Sequence, residues 1–237
     1  MPFKLIYLAR RNPALTPLEF PEAWKSHSRL ASQYATTLGT HYNRVIQCLK
    51  VVQSDVPEAF VNEIDGVAML TMKSWDDLQA TRSDAHVNSV LRDDEPRVFA
   101  DYVDKSMLAV DETVLMDKGT GKFALLSFLP INPASTQSEF LKFWAGPHAR
   151  EMMDAAACRG AVGYHQCRVV DHPGPPYAFG GLAELWTATL EAALSVAGSE
   201  EYIRSMAGLQ DVVDLPHMIS MLVQISFEKR MGQETSG

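Results

Sequence analysis

The sequence predicts an α+β fold in which two units of the same kind close one barrel. The chain has 237 residues, of which 46% are apolar, so one large domain or two small ones can bury a core. Residues 16–24 (TPLEFPEAW) and 136–144 (TQSEFLKFW) share Thr, Glu, Phe and Trp at equal spacing. Residues 66–70 and 181–185 share a Gly-x-Ala-x-Leu pattern. The same blocks in the same order indicate an internal duplication.

Each half is predicted to contain the element order βαββαβ. The apolar runs predict strands, which we place at 3–10, 41–52, 65–72, 105–110, 122–129, 162–170, 180–187 and 218–227. The helical segments are expected at 17–37, 75–91, 137–158 and 190–207. The first helix of each half follows a capping box, Thr16 with Glu19 and Thr136 with Glu139, in which each side chain binds the other residue's amide.

A βαββαβ unit is a ferredoxin-like module whose helices cover only one face of its sheet. The two bare sheet faces are therefore expected to cover each other and to enclose a cavity suited to an apolar small molecule. We predict a first repeat at 1–115, a connector at 111–121, a second repeat at 121–229 and a flexible tail at 230–237.

Composition narrows the expected partners. The 21 Lys and Arg against 29 Asp and Glu give a net charge of −8, which does not favour nucleic acid or an anionic membrane. Cys48, Cys158 and Cys167 form no CxxC pair, which favours reduced thiols in the cytoplasm over a disulfide framework. No apolar run is long enough to span a bilayer. A cytoplasmic protein with a small-molecule partner is predicted, and a homodimer through the helix faces stays open.

The repeated motifs resemble the EthD domain of the dimeric α/β-barrel superfamily. In the first half the resemblance rests on residues 4–30, with Arg10-Arg11-Asn12, Trp24 and His27, and on residues 65–68. In the second half it rests on residues 138–148, with Gly146-Pro147-His148, and on residues 181–186. The resemblance implies a tandem pair closing an intramolecular barrel. Relatives of this type include cofactor-free isomerases, polyketide cyclases and dehydratases, small monooxygenases and larger tandem proteins that bind haem.

The two halves depart from the family pattern differently. Trp144 and His148 have the family spacing, whereas Trp24 and His27 are one residue closer together. One residue turns a helix by about 100°, so the two histidines are predicted to occupy different places. The third strand carries Glu184 in the second half but Met69 in the first. The second half is therefore predicted to be the better preserved site.

Glu184, His148 and His165 are the predicted catalytic residues. Strand alternation puts Glu184 and Trp186 on one face, while Ala183 and Leu185 suit packing under helices on the other. A carboxyl group and a histidine inside an apolar barrel can move a proton next to a carbonyl group. The sequence does not decide whether His165 or Tyr164 faces the cavity.

Structural roles are the alternatives for the same residues. Glu184 would serve a salt bridge with Arg168 or Arg150, and His148 would be a packing histidine. The predicted substrate-binding residues supply flat apolar area or polar anchors, and each aromatic among them would also suit a core. They are Trp186, Tyr164, Trp144, Trp24, His27 and Arg150.

The predicted function is that of a cofactor-free lyase (dehydratase) or isomerase that acts on an apolar, carbonyl-bearing ring compound by acid/base catalysis. No HxH, HExxH or paired Cys/His spacing predicts a metal, and the Gly119-x-Gly121 segment opens a strand rather than a helix, so no cofactor is predicted. The alternatives are a binding protein without turnover and a haem- or oxygen-using member of the superfamily. Substrate identity does not follow from the sequence.

Overall fold

The computed structural model describes residues 3–34, 41–60, 62–119, 121–157 and 159–231. Eight strands pair antiparallel into a closed barrel in the order β1-β3-β2-β8-β5-β7-β6-β4. The strands are β1 Phe3–Ala9, β2 Tyr42–Lys50, β3 Gly66–Met72, β4 Met107–Asp117, β5 Phe123–Pro130, β6 Ala161–Asp171, β7 Phe179–Thr187 and β8 Ile219–Arg230. The predicted α+β class with a closed barrel is confirmed.

Seven α-helices lie outside the barrel in the described residues. They are α1 Phe20–Gln33, α2 Trp75–Ser83, α3 Ala85–Val98, α4 Gln137–Phe143, α5 Ala149–Ala157, α6 Leu190–Ala197 and α7 Glu200–Ala207. The second helical segment of each half is therefore two helices, not one as predicted. Asp84 and Ser199 interrupt the segments, because each side chain accepts a backbone N–H as the cap of a new helix.

The halves are joined by two strand pairs, β2 with β8 and β4 with β6. Pairing with β6 continues β4 to Asp117, so the predicted strand end at 110 and the connector at 111–121 are wrong. Likewise β8 reaches Arg230, which pairs with Arg44, so the expected tail begins too early. The predicted helix ends at 37 and 158 lie outside the described residues.

The barrel interior is a packed core, not the predicted cavity. An eight-stranded barrel has an interior that side chains can fill or that can hold one small ligand, and here large apolar residues project inward from all eight strands. They include Ile6, Leu8, Ile46, Met69, Leu108, Val110, Leu126, Phe128, Val169, Leu182, Met221 and Val223. Space for a ligand must therefore lie elsewhere.

Outside the barrel, each half packs helices against the outer face of its own sheet. A Cβ atom on Gly66 would overlap the Trp24 ring, and one on Gly181 would lie 2.7 Å from the Trp144 ring. In each half, therefore, the tryptophan ring packs directly on the glycine backbone, and a larger residue than glycine would not fit. Cys48 and Cys167 are buried free thiols, and Cys158 lies outside the described residues. None of the described helices has the length and apolar character to cross a membrane.

Candidate functional site

A cleft of about 540 Å³ lies between the helices and the outer sheet face of the first half. Helices α1 and α3 form its roof, strands β1, β3 and β2 form its floor, and the end of β8 forms one side. Its lining includes Leu5, Tyr7, His27, Ala31, Tyr42, Val45, Gln47, Leu70, Leu91, Arg92, Glu95, Met107, Phe227 and Lys229. Apolar groups supply most of the exposed wall, mainly from the strands, but half of the lining residues are polar or charged, mainly on the helices. A concave, partly apolar site of this kind suits a small molecule.

A β-bulge brings the end of β8 into this lining. Gln47 pairs with Phe227 and the next residue, Cys48, pairs with Ile225, so Ser226 is an extra residue. Its hydroxyl donates to the Gln47 carbonyl oxygen at 3.1 Å. A bulge reverses which face the following side chains occupy. Phe227 and Lys229 therefore line the outer cleft, although residues of the same parity before the bulge face the barrel interior.

His27 is the imidazole in the cleft lining. Its Nδ1 lies 2.9 Å from Asp94 Oδ2, and Arg97 donates to both carboxylate oxygens of Asp94. Because a carboxylate only accepts, Nδ1 carries the proton and Nε2 is the acceptor. Nε2 has no hydrogen-bond partner among the described residues. Burial lowers the pKa of His27, although Asp94 opposes the shift, so the neutral form is favoured.

Two further titratable groups face the same space. Trp24 Nε1 donates to the Tyr7 hydroxyl oxygen at 3.1 Å, which leaves the Tyr7 proton available to another acceptor. Burial raises the pKa of Tyr7, so this proton is retained. Burial also raises the pKa of Glu95. The Phe99 ring lies 5.4 Å from the His27 ring and 6.1 Å from the Tyr7 ring, so both groups adjoin one aromatic surface.

The corresponding layer of the second half is filled with side chains. Tyr164 is fully buried in its core, together with Met116 and Tyr202. Phe60, from the β2–β3 connection of the first half, stacks on Tyr202 with ring centroids 6.3 Å apart. Lys50 and Asn62 hold that connection in place, since Lys50 donates to Asn62, and Asn62 donates to the Ser220 carbonyl oxygen.

His148 lies in this filled layer with 1% of its surface exposed. Neither ring nitrogen has a hydrogen-bond partner among the described residues, and burial lowers its pKa to about 4. Trp144 and His148 are one residue further apart than Trp24 and His27. A π-helical turn over Trp144–His148, which is wider than an α-helical turn, accommodates this additional residue. Both histidines are buried, but His27 contacts Asp94 in the cleft lining and His148 lies in the filled layer. Arg150 is exposed.

Glu184 belongs to a buried ionic cluster inside the barrel. Lys4 Nζ lies 2.8 Å from Glu184 Oε1 and 2.6 Å from Glu112 Oε1. His165 Nδ1 lies 2.7 Å from Glu112 Oε1 and 3.7 Å from Glu184 Oε2. Glu184 also accepts from Cys167 Sγ and Trp186 Nε1, both at 3.1 Å. We call these six residues the barrel cluster.

The barrel cluster carries its own cation. Burial opposes the charged forms of Glu112 and Lys4, but each favours the charge of the other. The His165 hydrogen bond and the Lys4 ammonium lower the pKa of Glu112 to about 2 despite burial. Oxygen and nitrogen atoms of Glu112, His165 and Glu184 lie within 4.8 Å of one another, as metal ligands do. Lys4 contacts both carboxylates at this point.

The structure thus separates the predicted site residues. Glu184, His165 and Trp186 share the barrel interior, and Trp144, His148 and Tyr164 lie in the closed layer. His27 lines the cleft, whereas Trp24 is buried behind it and donates to Tyr7 of the lining. The suggested salt bridge between Glu184 and Arg168 was wrong, because Arg168 pairs with Asp111.

Sequence reasoning missed Lys4, Asp94, Glu112 and Lys229. One feature of the sequence could have identified Lys4. Strand alternation puts it on the same face as Ile6 and Leu8, which are typical of a buried face, so a buried lysine was predictable there. Asp94 stands in the acidic run Asp93-Asp94-Glu95, a pattern that is typical of solvated helix ends.

Comparisons with known proteins agree with this architecture. Residues 12–102 match the EthD domain family. A monooxygenase candidate from Fusobacterium nucleatum is 9% identical, with a TM-score of 0.60 over 98% of this chain and 96% of the other. An anthrone oxidase-like protein is 11% identical, with a TM-score of 0.62 over 98% and 94%.

A chlorite dismutase variant from Candidatus Nitrospira defluvii is 12% identical, with a TM-score of 0.52 over 95% and 92%. No curated protein sequence matches the chain. Identities this low establish the shared dimeric α/β-barrel fold alone.

Proposed function

We propose, from the premise that this chain carries an EthD domain and has the dimeric α/β-barrel fold, that it is a small-molecule enzyme whose site is the first-half cleft. Its substrate is an apolar ring compound with a carbonyl group. The reaction is acid/base chemistry at the carbon next to that carbonyl. The observation that carries the proposal is the Asp94-oriented His27 in the lining of a partly apolar 540 Å³ cleft within the matched domain.

In this proposal His27 is the base. Its Nε2 takes a proton from the substrate carbon, and Asp94 stabilises the imidazolium that forms. The Tyr7 hydroxyl, which accepts from Trp24, donates to the carbonyl oxygen as negative charge develops there. Glu95 returns a proton, because its raised pKa allows the protonated form nearer neutral pH. Isomerisation and dehydration both begin with this proton removal.

Oxygen use is a second candidate, since two proteins of the same fold are described as a monooxygenase candidate and as anthrone oxidase-like. The enolate left by proton removal would add O₂ at carbon and take up a proton to give a hydroperoxide. Loss of water from the hydroperoxide would leave a second carbonyl group. The residues needed from the chain are the same.

A haem-using role is the remaining alternative. Among the described lining residues His27 would be the iron ligand through Nε2, because Asp94 already holds Nδ1. Bound haem would supply redox chemistry to the cleft. A Soret band that appears when haemin is added, and that is lost in His27→Gln, would favour this role over cofactor-free chemistry.

Anthrone is a suitable probe for the proposed reaction, being an apolar three-ring ketone with an acidic ring methylene. We expect the protein to accelerate deuterium exchange at that methylene under nitrogen, measured by NMR. His27→Gln should lower the rate at least about a hundredfold, as for loss of a general base. His41→Gln is the matched control, because His41 Nδ1 lies 2.9 Å from Asp77 but does not line the cleft.

The outcomes separate the candidate functions. Exchange without O₂ uptake in air favours the lyase or isomerase, and exchange with O₂ uptake favours the oxygenase. Saturable binding without exchange for anthrone and related ketones would contradict catalysis and favour a binding protein. Equal loss in His27→Gln and His41→Gln would remove His27 from the proposed mechanism.

We also propose that the two halves are ferredoxin-like repeats of one duplicated module. The recurrence of strand, helix, two strands, helices and strand supports this, as do the Gly66–Trp24 and Gly181–Trp144 contacts. On this proposal the repeat boundary falls after β4, near residue 118. For Glu184 and His165 we propose a role in holding the barrel, because Lys4 and Glu112 occupy their polar atoms.

A further inference from the structure

We propose that Lys229 makes the cleft selective for ring compounds that also carry an anionic oxygen group, such as a carboxylate or phenolate. This inference rests on the proposed function, since it names the substrate class of the same cleft. Its basis is the position of one ammonium group in an otherwise apolar part of the lining.

Lys229 is directed into the cleft by the strand itself. It pairs with Val45 of β2, three positions beyond the Ser226 bulge, and it is half-buried. The cleft that it lines also has Val45, Tyr42 and Leu70 in its wall. Attraction between opposite charges is stronger beside apolar walls than in bulk water, so an anion here gains more than it would at an exposed lysine.

The other cations of the lining already have partners. Arg92 Nη1 lies 2.6 Å from Asp104 Oδ2, and Arg82 Nη1 lies 2.5 Å from Asp171 Oδ2. In the part of the chain that the structure describes, Lys229 has no carboxylate within ion-pair distance. The neighbouring Glu228 binds Arg44 and Arg230 instead. Lys229 is thus the lining cation left for a ligand.

The position fits a substrate that also reaches His27. Gln47 donates to Ser28, the residue after His27, and Val45, which pairs with Lys229, lies two residues before Gln47 in β2. His27 and Lys229 both line the same cleft. The carbonyl end would lie near His27 and Tyr7, and the anionic end would lie near Lys229.

The second half shows that the fold does not require a charge here. Met116 follows a register shift in β4 and pairs with Tyr164, as Lys229 pairs with Val45. Met116 is buried in the closed layer. Lys229 therefore occupies the position that Met116 occupies in the second half. Since the fold accepts methionine at this position, Lys229→Met is a structurally conservative test.

The test uses two fluorescent probes of similar ring structure and different charge, anilinonaphthalene sulfonate and neutral N-phenylnaphthylamine. Both are titrated into the full chain at low salt. We expect Lys229→Met to weaken sulfonate binding at least about fivefold and to leave the neutral probe unchanged. Lys229→Arg should keep sulfonate affinity. Lys142→Met, an exposed change with the same loss of charge, should have no effect on either probe.

Val45→Tyr keeps the two proposals apart, because it fills the cleft as Tyr164 fills the other layer. If Val45→Tyr abolishes the binding of both probes but Lys229→Met changes the affinity of neither, the anion inference is overturned, while the cleft remains the binding site. If Val45→Tyr leaves both probes bound, the cleft itself fails. Equal weakening of both probes by Lys229→Met, or equal effects of Lys229→Met and Lys142→Met, would also overturn the inference.

Discussion

The two halves bury the same kind of helix–sheet layer. In the described residues of the first half a cleft of about 540 Å³ opens between the helices and the sheet, whereas the opening described on the second half is lined by helix residues and one residue of the turn before β6, with no strand in its wall. At corresponding places the first half has Val45 opposite Lys229, and the second has Tyr164 opposite Met116. Phe60 of the first half closes the second layer further. The difference shows that a few side-chain volumes on a shared scaffold decide whether a layer is a core or a binding site.

Inside the barrel both halves contribute charge. The first half supplies Lys4 and Glu112 to the barrel cluster, and the second half supplies His165 and Glu184, whose counterparts in the first half, Ile46 and Met69, are apolar. The two halves thus share one buried ionic cluster, although they differ in the layer outside the barrel. A buried cluster of this kind stabilises only while every charge keeps its partner.

The largest expected effect comes from Lys4→Met, which leaves Glu112 and Glu184 buried without their cation. We expect the free energy of unfolding to fall by about 3–5 kcal/mol, measured by urea denaturation. Adding Glu112→Ile and Glu184→Met, the residue types found at Ile225 and Met69, should recover most of the loss. A cost below about 1 kcal/mol for Lys4→Met would contradict a structural role for the barrel cluster.

Exchanging the residues that close the second layer tests the comparison directly. Tyr164→Val should cost about 3 kcal/mol, because it leaves a cavity in a packed core. Val45→Tyr should cost less than about 1 kcal/mol, because the new ring enters existing space. Thermal and urea unfolding measure both. Similar costs at the two positions would show that the layers do not differ as described.

The smallest effect is expected from the two histidines and appears as a pH dependence. The pKa of His148 falls from 6.5 to about 4 on folding, so the unfolded chain binds more protons between these values. Stability is therefore complete above pH 6.5 and falls as the pH drops toward 4, by about 2–3 kcal/mol in total. His148→Leu should flatten this dependence in urea titrations.

His172→Leu, an exposed change, should leave the pH dependence as it is. His27→Leu should flatten it less than His148→Leu, because Asp94 opposes the lowering of the His27 pKa. An unchanged pH profile in His148→Leu would contradict the partnerless burial of His148.

The fold was predictable because its signals are local or repeated. The capping boxes at Thr16 and Thr136, the apolar strands and the duplicated Gly-x-Ala-x-Leu pattern each follow from short segments. The extension of β4 to Asp117 was not predictable, since it depends on pairing with β6, a partner brought close only by the tertiary fold.

The site was harder to predict for the same reason. Strand alternation identified the common face of Glu184 and Trp186, but it carried no information on Lys4, which lies 180 residues away in sequence. Nor could it tell that apolar side chains from all eight strands would pack together inside the barrel. The cleft depends on the difference between Val45 and Tyr164, and a size difference at one position has meaning only once both layers are seen.

The extra residue at Ser226 also bears on how such a pocket changes over evolutionary time. Pairing β8 with β2 without this bulge, at unchanged chain length, would turn Phe227 and Lys229 to the inner face and offer Ser226 and Glu228 to the ligand instead. The ligand preference of this scaffold can therefore change through the register of one strand, without any exchange of the pocket's own residues.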